Sequence, residues 1–248
     1  MATLLAGAAW GQAPAYAPAS VVNASDYSPG PFAPNSLLTI FGTNLAWSIE
    51  QLAETDIVNY TLPTKMNGVE LYLDNRPVPL MYVSPTQINF IVPGNEVDGG
   101  VPVRVVREGV TGPEITLQLI DAAPALFASA GYAIATHPDS TLLTPDAPAH
   151  AGDVVVVYAT GLGKTLPNPA PGVIPLTADP IAGLSTLNVY LNGVAIDPAL
   201  IFYAGVSPCS AGLYQINLFL PTDTPTDPEI RVSIGTGTSL AGLLLNVQ

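Results

Sequence analysis

Short apolar runs and turn-forming clusters follow one another along the whole chain. Strict alternation in Glu114-Ile115-Thr116-Leu117-Gln118-Leu119 predicts a strand with one wet face. The runs Leu37-Leu38-Thr39-Ile40-Phe41 and Val154-Val155-Val156-Val157-Tyr158 are apolar strands, each ending in an aromatic and a small-residue turn. They are copies of each other, displaced by 117 residues if Leu45 is matched to Leu162.

The repeat continues. Val69-Glu70-Leu71-Tyr72-Leu73 matches Leu187-Asn188-Val189-Tyr190-Leu191, now displaced by 118. Each strand runs into a pair that tolerates positive φ, Asp74-Asn75 or Asn192-Gly193, so both copies should fold back there as tight hairpins. Gln87-Ile88-Asn89-Phe90-Ile91-Val92-Pro93 matches Gln215-Ile216-Asn217-Leu218-Phe219-Leu220-Pro221 at a displacement of 128. The growth from 118 to 128 places an insertion of about ten residues in the second copy, around residues 205–212. Closing hairpins are expected where 101–106 meets 114–119 and where 229–234 meets 240–247.

The fold class predicted is all-β: two tandem immunoglobulin-like antiparallel β-sandwich domains, 20–121 and 122–248, preceded by a segment 1–19. A short, proline-bearing junction at Asp121-Ala122-Ala123-Pro124 should couple them stiffly. Trp47-Ser48-Ile49-Glu50-Gln51-Leu52-Ala53 is a short helix candidate.

At Val21-Val22-Asn23-Ala24-Ser25, Pro34-Asn35-Ser36-Leu37, Ile40-Phe41-Gly42-Thr43-Asn44-Leu45, Tyr82-Val83-Ser84-Pro85-Thr86-Gln87-Ile88-Asn89-Phe90, Tyr158-Ala159-Thr160-Gly161-Leu162-Gly163 and Gly212-Leu213-Tyr214-Gln215-Ile216-Asn217 the chain resembles the Solibacter-type C-terminal domain family of secreted bacterial proteins. That resemblance implies an extracellular, cell-surface location and an Ig-like or IPT/TIG-like sandwich. It supplies no catalytic residues.

Composition supports this picture. The 26 Pro and 22 Gly among 248 residues suit strands and turns and disfavour long helices. Only 10% of residues are charged, which for a soluble protein means an unusually uncharged surface or much apolar surface buried against other chains. A net charge of −13 repels phosphate backbones, so nucleic acid is not an expected partner, and no apolar stretch is long enough to span a membrane. The single Cys209 cannot close an internal disulfide.

Candidate chemistry is sparse. Gly161-Leu162-Gly163-Lys164-Thr165 resembles the end of a phosphate loop, but Tyr158 stands where that loop needs glycine and Pro167 and Pro169 forbid the helix that must follow, so a sandwich turn is expected. His137 and His150 lack metal-ligand spacing. The acids of Asn95-Glu96-Val97-Asp98-Gly99 and of the equivalent 223–229 segment lack calcium-loop spacing and read as solvated turns. The amides of Gln87/Asn89 and Gln215/Asn217 share a strand face and are expected to bond loop backbone. No catalytic, metal or cofactor residues are predicted, and no enzyme activity.

Two additions distinguish the copies. Before the first lies the apolar Leu4-Leu5-Ala6-Gly7-Ala8-Ala9-Trp10, followed by Gly11-Gln12-Ala13; it is either a leader or an extended arm. As an arm, with Leu4, Leu5, Trp10 and Tyr16 as contact residues, it could add as a strand to a neighbouring sandwich and build a filament or surface layer of identical subunits. In the second copy the inserted loop offers Val206, Ser207, Cys209 and Ser210 as a contact surface. The leading expectation is therefore a non-catalytic extracellular structural subunit. The alternative is a secreted adhesion module that binds a glycan or a surface protein.

Overall fold

The computed structural model of the protein describes residues 11–248, and Leu4, Leu5 and Trp10 lie outside them. The fold is all-β with an Ig-like sandwich architecture. All paired strands run antiparallel, and the only helical turns among the described residues are four 3-10 turns of three residues.

In the first half, one sheet orders Val21–Asn23, Leu37–Phe41, Gln87–Ile91, Leu80–Val83 and Glu50–Gln51. The facing sheet is built on Val69–Leu73 and Gly99–Arg107, with Ile115–Leu119 paired to the latter. The second half repeats the scheme. Val154–Thr160, Tyr214–Phe219 and Ile201–Val206 are neighbours in one sheet, and Leu187–Leu191 pairs with Ile230–Ile234 in the other.

Alternation becomes burial. Ile115, Leu117 and Leu119 are buried while Thr116 and Gln118 are exposed. Each half has its own core, one drawn from residues 21–119 around Leu38, Leu71, Ile88 and Phe90, the other from 122–247 around Val157, Val189, Ile216 and Tyr214. Each fully buried aliphatic side chain contributes roughly 1.5–3 kcal/mol to the core that holds it. The hairpin turns have positive φ at both central residues, Asp74 and Asn75 in one copy, Asn192 and Gly193 in the other.

Four expectations need correction. The segment 47–53 is not helical: Glu50–Gln51 joins a sheet, and no apolar face is available to stabilise one isolated turn. The closing segment of the second copy is irregular; it touches its neighbours through single bridges, Glu229 to Leu244, Tyr132 to Leu244 and Ala149 to Val247. The inserted residues are divided between two places. Ser84-Pro85 and Ser207-Pro208 both follow the same strand, so about half the insertion precedes them, around the 3-10 turn Pro198–Leu200 that Asp197 caps, and the rest follows in residues 209–213. Finally, Glu96 is not in a solvated turn but only 3% exposed, paired with Arg76 at 2.6 Å.

A candidate binding site at the seam between the sandwiches

From Gly11 onward the N-terminal segment lies on the first sandwich. Ala15 bridges Thr43 through two backbone bonds of 2.9 Å. The Tyr16 hydroxyl donates to the Pro113 carbonyl and accepts from the Val105 amide at 2.7 Å, and burial raises its pKa. Arg107, buried to 1% exposure, donates to the carbonyls of Gln12 and Asn44 and lies 3.8 Å from the Trp47 ring centre. Its charge is thus met by backbone oxygens and a π face in place of a carboxylate. Tyr16 is accordingly a contact within its own domain.

The candidate loop also turns inward. Val206 is buried, Ser207 donates to the Gln215 side chain at 3.2 Å, and the Cys209 amide donates to the Pro175 carbonyl. Cys209 itself is exposed and Ser210 half-buried. The Gly212 carbonyl accepts from Thr160 Oγ1 at 2.9 Å, and that hydroxyl accepts from the Leu37 amide of the first sandwich. The loop is therefore part of the joint between the two sandwiches.

Further bonds cross that joint. Asn35 donates to Asn168 at 3.2 Å, Asn168 donates to the Gly94 carbonyl at 3.0 Å, and the amides of Leu62 and Ile174 donate to Gly172 and Tyr60. The phosphate-loop look-alike sits here and explains its glycines. Gly161 and Gly163 hold φ of +74° and +86°, and a Cβ on either would collide with the carbonyl of Ala123 or Asp121. The Gly163 carbonyl also accepts from the fully buried Tyr214 hydroxyl, whose pKa burial raises.

The Gln-Ile-Asn faces bond side chains rather than loop backbone. Asn89 Oδ1 accepts from Gln87 at 2.8 Å and from Thr39 at 3.0 Å. In the second copy Val156 stands opposite Asn217 where Thr39 stands opposite Asn89, and Asn217 Oδ1 is buried without a partner. The same outer face exposes Phe202 and Phe219, with ring centres 5.3 Å apart.

Beside the seam lies a cavity of about 530 Å³, a size that suits a small ligand. Asp98 and Ile120 come from the first half, Asp121 from the junction, and Leu162, Lys164, Thr186 and Ile234 from the second. The walls thus offer an ammonium, two carboxylates, hydroxyls and backbone groups of glycines beside an apolar surface. Sequence reasoning missed this site, since its residues come from segments up to 138 positions apart; the one available signal was Gly163-Lys164 in a motif already dismissed as a nucleotide loop.

Residues 23–119 match the IPT/TIG domain family. No curated protein sequence matches the chain. Among solved structures, it is similar to the surface glycan-binding protein PbSGBP-B of Prevotella bryantii, at 14% identity over 94% of this chain and 42% of that one, with a TM-score of 0.28. A second is the Bacteroides ovatus mixed-linkage glucan utilization locus SGBP-B in complex with a heptasaccharide, at 10% identity over 88% and 43%, TM-score 0.32. A third is the tandem Ig repeats of Dlar, at 12% identity over 87% and 91%, TM-score 0.22. The chain spans less than half the length of the two glycan-binding proteins. No helix among the described residues is long and apolar enough to cross a membrane.

Proposed function

We propose that this chain is a non-catalytic, extracellular binding module that holds a glycan in the cavity at its seam. The observation that carries this reading is the cavity's composition: hydroxyl and backbone groups of both hydrogen-bonding senses, carboxylates that accept from vicinal hydroxyls, and accessible apolar surface at Ile120 and Ala182 for the C–H face of a pyranose. Both Asp98 and Asp121 are exposed, whereas a glycosidase acid needs a desolvated carboxyl, which favours binding over hydrolysis. The extracellular, cell-surface location rests on the motifs that resemble the Solibacter-type C-terminal domain family.

A glycan array tests the reading. Wild-type protein is expected to give a signal that Ala182→Trp removes, because the indole fills the cavity from an exposed wall position while the Ala182 amide keeps its bond to the Lys164 carbonyl. A signal unchanged by Ala182→Trp, or none for any glycan, overturns it.

One observation favours a second reading, self-assembly by strand addition. Ile201–Val206 is an edge strand; residues 179–181 cover its second half, and among the described residues nothing pairs with the outer edge of 201–203. A strand carrying Leu4, Leu5 and Trp10 from another copy would fit that edge. Electron microscopy showing only monomers, unchanged by removal of residues 1–10, would exclude it.

A further inference from the structure

Only six basic residues stand against nineteen acidic ones, so what each cation faces is informative. Lys65 pairs with Glu70, Arg76 with Glu96 and Asp74, and Arg104 with Glu114 and the face of Tyr72. Arg107 is held by two carbonyls and Trp47, and Arg231 donates to the Ser239 carbonyl. Lys164 is the exception. Among the described residues its ammonium makes no hydrogen bond, ion pair or aromatic contact, although its charge reaches the Glu96 carboxylate that Arg76 already pairs, and it is half-buried in the wall of the seam cavity.

We infer that the seam cavity takes a carboxylated sugar, a uronic acid residue within a polysaccharide, with Lys164 as the anchor of its carboxylate. The inference rests on the glycan reading and gives it a substrate class. An ammonium is a compact charge suited to one carboxylate oxygen pair, and partial burial strengthens the contact. Asp98 and Asp121 in the same cavity are acceptors only, so they suit the ring hydroxyls and repel a second negative charge. A phosphate, with its charge of nearly −2, would meet two carboxylates and the field of a −13 chain. A uronate carries one charge and several hydroxyl donors, which matches one cation and two acceptors. A neutral sugar would leave the ammonium without a directly bonded anion.

Calorimetric titration with a galactose tetrasaccharide carrying a single galacturonate residue, and with the same tetrasaccharide after reduction of that carboxyl to the alcohol, tests this. The acidic form is expected to bind about tenfold or more tighter, with the difference shrinking as salt is raised. Lys164→Met should remove that preference while leaving thermal stability and weak binding of the reduced form in place, and Lys164→Arg should restore much of it. Equal binding of the two forms, or a preference that survives Lys164→Met, overturns the uronate assignment alone. Binding of neither form overturns the uronate assignment, and only an array on which no glycan binds overturns the glycan reading with it. Inorganic phosphate competing better than galacturonate would identify a phosphate site instead.

Discussion

The amide of Leu37, in the first sandwich, donates to the hydroxyl of Thr160, in the second, across 2.9 Å, and the same hydroxyl donates to the carbonyl of Gly212. One completely buried side chain thus satisfies a donor from one domain and an acceptor from the loop that the other domain has gained. Thr160→Val keeps the shape and strands both groups, at a cost of about 1–3 kcal/mol for each left without water or another partner. Scanning calorimetry should show a lowered melting temperature and a transition that separates into two, as the joint weakens before either core. A single unshifted transition would mean that the joint is held elsewhere.

Asn217 offers the opposite experiment. Its Oδ1 is buried and unpaired because Val156 occupies the register position at which Thr39 serves Asn89. Val156→Thr should supply the missing hydroxyl and raise stability by about 0.5–1.5 kcal/mol, the net worth of one hydrogen bond. Urea unfolding measures it, and destabilisation would show that the hydroxyl cannot reach the amide.

Glu96 gives a pH dependence with a defined sign. Burial raises its carboxyl above the ordinary 4.5, against the pull of Arg76 beside it. A raised carboxyl contributes stability below pH 4.5 and loses it as pH climbs through the raised value. Glu96→Gln is always neutral, so relative to wild type it should gain stability between acid and neutral pH, Arg76 being half-exposed and near Asp74. A variant that instead loses ground as pH rises would mean that the ion pair outweighs the cost of burial.

The fold was legible because its signals are local. Alternation marked Ile115–Leu119, positive-φ residues marked both hairpin turns, and the two Gln-Ile-Asn strands returned in equivalent places in their sheets. The site was not legible, because its walls join residues such as Asp98 and Thr236, 138 positions apart, and leave no periodicity. The division of the insertion about Ser207-Pro208 was hidden for a related reason: a displacement summed over a whole copy reports how many residues were added but not where. Burial of Glu96 and Arg107 was equally invisible, since a charged residue in a turn reads as solvated until its partners are known.

Amide chemical shifts recorded while an oligosaccharide carrying a single galacturonate residue is added to the protein test the central claim most directly. Shifts should concentrate on Gly163, Lys164, Gly183, Thr186 and Gly235 around the seam cavity and vanish in Ala182→Trp. Shifts centred on Phe202 and Phe219, or none at saturating sugar, would contradict a glycan site at the seam.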